Sequence, residues 1–353
     1  MSTVNESVFM RALKREPVAR TPVWMMRQAG RYLPEYRATR AQAGDFMSLC
    51  KTPELACEVT LQPFRRFALD AAILFSDILT IPDAMGLGLH FVEGEGPCFE
   101  RPLKSLEAIE KLRVPAPETL EYVMDAVRHI RRALPEGIPL IGFAGSPWTL
   151  ACYMLEGGSS KDFRHAQSLL YREPRSAHLL LQTLAEAVTD YLSRQVEAGA
   201  NALMVFDTWG GILSPEDYVQ FSCAYMQRIV EALKERHPEV PVTLFSKGAH
   251  QSLERQAQTG CNALGIDWTL PLSEARRRVG SEVVLQGNLN PAILLTSPDC
   301  IRTQVERVLK DFGQGEGHIF NLGHGVTPDV PVEHVEAMIE SVHALSPHYH
   351  QSF

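Results

Sequence analysis

Arg27, Arg31, Arg37 and Arg40 crowd one short segment of the chain. An arginine fork binds a carboxylate through two parallel hydrogen bonds. Several forks together suit a ligand with several carboxylates or phosphates. The competing explanation is a solvated helix face whose arginines pair with Glu35 and Asp45. Asp77 follows the apolar run 71–75. A carboxylate at the end of a buried strand is costly unless it is paired. It could act as a base, a metal ligand or an acceptor for N–H donors, or form a structural ion pair with one of the arginines.

Other positions carry weaker signals. His324 stands between Gly323 and Gly325, and glycine lets a backbone approach a ligand closely. The alternative is a loop histidine that caps the next turn. Tyr153 falls in an expected helix, 148–155, where packing in the core is the simpler role. Thr208 offers a hydroxyl at a strand end, a common place for threonine. Lys247 could form a Schiff base, as barrel lysines sometimes do, or be merely exposed or salt-bridged. The histidines are scattered and show no H-E-x-x-H or similar spacing, so no metal site is expected.

The elements that must position these groups follow from an alternating pattern. Eight short β-prone apolar runs are expected as strands: 22–26, 71–75, 139–144, 202–206, 242–245, 263–266, 283–286 and 319–322. Each is nearly continuous in apolar residues, as parallel strands covered on both faces are. Helices are expected between them, at 53–67, 120–133, 174–198, 215–235, 251–259, 299–312 and 331–345. In 174–198, Ala177, Leu180, Leu181, Leu184, Val188, Tyr191 and Leu192 keep the spacing of one buried face. Pro174 suits its first turn and Gly199 its end. The pattern predicts a (β/α)8 barrel of the TIM type, in which chemistry gathers where strands end. An open doubly wound sheet is the rival, but it usually carries a glycine-rich phosphate loop after its first strand. Here the first strand runs into Arg27-Gln28-Ala29-Gly30-Arg31 instead.

The 353 residues suit one such barrel, read here as a single catalytic domain over 1–353 with an insertion after the second strand at about 81–118. The net charge of -8 argues against nucleic acid as a partner. No signal-peptide pattern and no run of about twenty apolar residues is visible, so neither export nor a membrane span is expected. The seven cysteines form no C-x-x-C pair and read as free thiols of a reducing cytoplasm.

The segment 22–40, PVWMMRQAGRYLPEYRATR, closely resembles the signature of the uroporphyrinogen decarboxylase family. A second stretch, 141–158 (IGFAGSPWTLACYMLEGG), is similar to that family's second signature. FSD at 75–77, FDTW at 206–209 and NLGHGV at 321–326 fall where the family places substrate contacts. The resemblance runs from about Phe9 to near His343. Position 208 is Thr where some members carry Ser, and both supply a hydroxyl.

The resemblance implies a single (β/α)8 barrel, a homodimer, and a substrate, uroporphyrinogen, with four acetate and four propionate arms. It implies that Arg27, Gln28, Ala29, Gly30, Arg31, Asp77, Tyr153, Thr208 and His324 line the cleft. Arg40 is a further carboxylate contact, and Phe206 packs against the macrocycle. Asp77 and Arg27 are the catalytic candidates. Loss of carbon dioxide from an acetate leaves an electron pair that most decarboxylases pass to a cofactor. A protonated pyrrole can accept it, so no cofactor is expected. Two other readings share the scaffold. A zinc-dependent corrinoid or thiol methyltransferase would need His and Cys ligands, often H-x-C near a late strand end, and the ends at Ser246-Lys247 and Asp267-Trp268 lack them. A non-catalytic tetrapyrrole carrier would have no use for Asp77 beneath the ring.

Overall fold

Seven parallel strands follow one another around a curled sheet in the order of the sequence. They are Ala72–Ile73, Leu140–Gly145, Ala202–Asp207, Val242–Ser246, Ala263–Gly265, Val284–Gln286 and His318–Ile319. The computed structural model describes residues 3–92 and 96–350. The expected strand 22–26 closes the ring without becoming a regular ladder. Val23 forms a parallel bridge to Phe320. The Phe320 N–H donates to the Pro22 carbonyl at 2.8 Å and the Trp24 N–H to the Phe320 carbonyl at 3.3 Å. On its other side the Asp70 N–H donates to the Val23 carbonyl at 2.9 Å. Pro22 has no N–H to give, and the Val23 N–H is taken by the Asp70 carboxylate at 2.8 Å. One missing donor and one side-chain acceptor reduce this strand to a bridge. Closure yields the (β/α)8 barrel and removes the open sheet from consideration.

Asp70 is tied down further. Arg20 donates to both its oxygens, at 2.7 and 2.6 Å. Burial alone would raise this carboxyl, but the bonds from Arg20 outweigh it, with His343 Nε2 standing 3.7 Å away, and hold the group below the usual carboxylate range.

The strands are buried apart from the half-buried Ile73 and Phe206, and all six residues of Leu140–Gly145 are buried. The amphipathic helix Pro174–Ala198 lies where its spacing put it, and all seven residues of its expected apolar face are buried. Gly199 ends it with φ +129°. The expected helix 215–235 is interrupted by a wider turn at Val219–Cys223 before continuing as Ala224–Arg236. The glycine- and proline-rich stretch after the second strand contains an antiparallel hairpin, Leu89–Val92 with Gly96–Phe99, and the short helix Leu106–Lys111. Helices Pro34–Ala43, Phe46–Lys51, Arg164–Arg172 and Leu272–Val279 add to the expected set. Phe46–Lys51 is too short to show a period, and the polar composition of the other three hides any wide apolar stripe.

Candidate active site

The arginine segment is a shaped loop. Gln28, 1 % exposed, is its latch. Its Oε1 accepts from the Met25 N–H at 3.1 Å, and its Nε2 donates to the Ala71 carbonyl on the neighbouring strand at 3.1 Å. The Tyr32 hydroxyl donates to the Gln28 carbonyl at 2.7 Å. Gln28 thus holds the loop and presents no free polar end to a ligand. Arg27 takes φ +62°, a left-handed conformation costly for a residue with a Cβ. Gly30 turns tightly against it, since a Cβ there would stand 2.8 Å from the Arg27 carbonyl. Ala29 and Gly30 are half-buried, whereas Arg27 and Arg31 are exposed. Arg37 donates to the Arg31 carbonyl at 2.7 Å and braces the loop. Arg40 turns to the end of its own helix, donating to the Gly44 carbonyl at 3.1 Å.

Neither acid that could have neutralised these arginines does so. Glu35 binds Arg66 at 2.6 and 2.9 Å. Asp45 caps helix Phe46–Lys51 by accepting from the Ser48 N–H at 2.8 Å. Among the described residues Arg27, Arg31, Arg37 and Arg40 form no ion pair.

Asp77 has no ion-pair partner either among the described residues. Its Oδ1 accepts from the Leu79 N–H at 2.7 Å. Burial raises its carboxyl above the usual range; the Leu79 N–H and the Arg27 charge oppose this only in part. Part of the residue is accessible, so an incoming donor can still reach a carboxyl otherwise enclosed by protein.

Strand alternation sorts the next groups. Phe206 and Phe245 face the barrel interior, where ring centroids run Phe143 to Phe206 at 5.6 Å, Phe206 to Phe245 at 6.1 Å and Phe245 to His324 at 6.2 Å. A flat ring could pack on this surface. Thr208 follows in the turn directly beyond strand Ala202–Asp207. Asp207 points the other way and is fully buried. It accepts from Ser146 at 2.6 Å, Ser246 at 2.9 Å and, more weakly, Thr149 at 3.4 Å. Burial raises its carboxyl and these hydroxyls oppose the rise. Thr149 Oγ1 also accepts from the Trp209 N–H at 3.2 Å, and Trp148 Nε1 donates to the Trp209 carbonyl at 3.0 Å. Trp209, next to Thr208, is therefore locked to helix Pro147–Glu156, which carries Tyr153. That ring packs edge-on against Phe163 and Trp209 at 5.6 and 6.3 Å. Burial raises the Tyr153 hydroxyl, opposed by the adjacent Trp209 indole, while the Asp77 charge adds to the rise.

The loop that carries His324 packs against Arg27 through Gly325. A Cβ on Gly325 would stand 2.5 Å from Arg27 Cδ, and one on Gly323 2.6 Å from the Trp268 N. These glycines make room for protein atoms, rather than for the ligand approach that the sequence suggested. Burial lowers the His324 imidazole to about 4, helped by the charges of Arg27 and Lys247. It is neutral at physiological pH.

Arg27 thus acts electrostatically on Asp77, Tyr153 and His324 at once. Arg31, Thr208 and Phe206 stand on the same rim, Arg40 lies farther out, and Gln28 lies behind. The Asp207 hydroxyl cluster was not assigned a role from sequence, although its parts stood in view as strand endings. Serines and threonines after strands have too many ordinary uses to single out. Among the described residues no group of three or more His, Cys, Asp or Glu side chains could hold a metal ion. No helix there is long and apolar enough to cross a membrane.

The fold and this rim define a (β/α)8-barrel protein with unpaired cations and a buried, unpaired carboxyl over an aromatic floor. The family model described as uroporphyrinogen decarboxylase (URO-D) matches residues 5–345. The uroporphyrinogen decarboxylase of Legionella pneumophila (strain Paris) is 64% identical over 351 residues, covering 99% of this chain and 100% of that one. That of Alkalilimnicola ehrlichii is 62% identical over 356 residues, covering 99% and 97%. A solved methyltransferase from Methanosarcina mazei superposes with a TM-score of 0.81 over 98% of this chain and 99% of its own, at 20% identity, a likeness of fold. The chain belongs to the uroporphyrinogen decarboxylase family.

Proposed function

We propose that this protein decarboxylates the four acetate arms of uroporphyrinogen III to give coproporphyrinogen III in tetrapyrrole biosynthesis, acting as a carboxy-lyase that draws on its own side chains. The observation that carries this reading is Asp77, a buried carboxyl without a cationic partner, on the same rim as the unpaired Arg27 and Arg31. The relatives above support the decarboxylase over the methyltransferase and the carrier.

In this mechanism Arg27 and Arg31 take substrate carboxylates, with Arg40 at the outer edge. The macrocycle packs on Phe206. Asp77 accepts hydrogen bonds from pyrrole N–H groups. A proton adds to the ring carbon beside the one bearing the acetate, giving a cationic, imine-like ring. The carbon–carbon bond to the carboxylate breaks, carbon dioxide leaves, and the electron pair moves into that ring. The exocyclic carbon then takes a proton and the ring proton departs, leaving a methyl group. The Asp77 charge stabilises the cationic ring, and preorganised charge of this kind is usually a large catalytic term. Burial disfavours that charge in the empty cleft, and the N–H donors and cationic ring restore it. Tyr153, Thr208 and neutral His324 orient the arms, while Gln28, Ala29 and Gly30 shape the loop. A free guanidinium is a poor acid, so Arg27 serves by holding a carboxylate or a water rather than by giving up its own proton.

We further propose one catalytic domain, with residues 81–118 as an insertion, working as a cytoplasmic homodimer. Sedimentation equilibrium should return twice the chain mass. The activity itself is tested anaerobically, with enzymatically made uroporphyrinogen, EDTA and no added cofactor. Products are oxidised and separated by carboxyl number. A ladder from eight carboxylates to four is expected. An unchanged eight-carboxylate peak from folded protein that still binds coproporphyrin would favour the carrier.

A further inference from the structure

Lys247 is a cation at a strand end that the mechanism above leaves unused. It follows strand Val242–Ser246, the fifth of the eight barrel segments, half-way round the ring from the arginine loop after the first. Side chains alternate along a strand. Phe245 faces the interior, against Phe206 and His324, and Ser246 points outward to Asp207. Lys247 follows in the turn directly beyond the strand. The register pairs Phe206 with Phe245 and Asp207 with Ser246 and ends there, so Thr208 and Lys247 are the first residues beyond two neighbouring strands.

Its backbone is firmly held. The Lys247 N–H donates to the Asp207 carbonyl at 3.3 Å. The Gly248 N–H donates to Asp267 Oδ2 at 2.8 Å, and Gly248 takes φ +69°. Gly211 packs so closely that a Cβ would stand 2.5 Å from the Lys247 carbonyl. The ammonium, by contrast, has no carboxylate within ion-pair distance among the described residues. Two carboxylates at neighbouring strand ends are occupied: Asp207 by Ser146 and Ser246, Asp267 by His250, Thr269 and the Gly248 N–H. A half-buried lysine without an internal anion is open to an anion brought by a ligand. The substrate read above has no ketone or aldehyde for a Schiff base, but it has eight carboxylates.

We propose that Lys247 binds a carboxylate arm of the substrate across the cleft from Arg27 and Arg31, so that the macrocycle is clamped from opposite walls. The proposal rests on the decarboxylase reading and adds a substrate-binding residue to it. The proximity of its charge to His324 is consistent with this placement.

The test compares wild type, Lys247→Met and Lys247→Arg in the anaerobic ladder assay. Lys247→Met should raise KM for uroporphyrinogen about tenfold with little change in kcat, and Lys247→Arg should return it to within about twofold, the pattern of a lost uniform binding contact. A second measurement needs no variant: uroporphyrin should shield Lys247 of the wild-type protein from acylation by an amine reagent, read by peptide mass spectrometry. Unchanged KM in Lys247→Met together with unshielded Lys247, in an enzyme whose wild type runs the full ladder, would overturn the proposal alone. A fall in kcat that arginine does not rescue would also overturn it, by placing Lys247 in the chemistry. A wild type that produces no ladder would instead remove the decarboxylase reading, and the clamp with it.

Discussion

Asp77 and His324 are both moved by burial, in directions that set the pH behaviour of the cleft. Burial raises Asp77, so this carboxyl protonates at higher pH than an ordinary aspartate. Activity should require its charged form. kcat/KM should therefore fall as pH drops through the raised value, and the acidic limb should lie above the reference of about 3.9. His324 moves the other way, to about 4, and should contribute no limb near 6.5. A pH profile of kcat/KM and an NMR titration of the His324 ring check the two together. A limb near 6.5 that vanishes in His324→Gln would show a protonated imidazole at work. Most of these residues were legible in the sequence because they follow strands, where a barrel collects its chemistry. Gln28 was legible only as part of a motif. Its substrate contact was expected by resemblance, but its amide is spent on the Met25 N–H and the Ala71 carbonyl. Motif membership does not separate a residue that touches ligand from one that holds the loop.

At the scale of elements, the rim depends on close approaches between segments far apart in the chain. Gly325 lets the Arg27 side chain lie over the loop after the last strand. In Gly325→Ala the new Cβ would meet Arg27 Cδ at 2.5 Å, so the guanidinium must move. KM should rise by about tenfold while the melting temperature changes little, because the strain falls on a side chain at the surface. A melting temperature that collapses with KM unchanged would make Gly325 a folding requirement instead. The strand positions themselves were readable to within three residues, the largest miss being the end of the last strand, since parallel strands covered on both faces are unbroken apolar runs. The first strand was read as an equal of the others. Its reduction to a bridge follows from Pro22 and from the Asp70 side chain 47 residues away, a partner that no local pattern announces. Closure through Asp70 should matter for stability. Asp70→Asn, which leaves Arg20 without its partner, should cost about 3 kcal/mol, measured by urea unfolding. The sign with pH follows from the lowered carboxyl: its contribution is present above the unfolded value of about 3.9 and is lost as pH falls through the folded value.

For the whole molecule, a net charge of -8 would repel a polyanion were its cations evenly spread. Here Arg27 and Arg31 stand unpaired on one rim, while Glu35 and Asp45 are spent on Arg66 and a helix cap. KM for uroporphyrinogen should therefore rise with ionic strength, and Arg31→Gln should flatten that dependence. The account divides the labour: cations on the rim bind the carboxylate arms, and a buried carboxyl serves the reacting ring. Asp77→Asn separates the two tasks, since it keeps the shape and removes the charge. The decisive measurement is the single-turnover rate of acetate loss in Asp77→Asn, taken beside its affinity for coproporphyrin. The account predicts a fall of at least about 100-fold in rate with product binding retained. Full turnover by Asp77→Asn would contradict it.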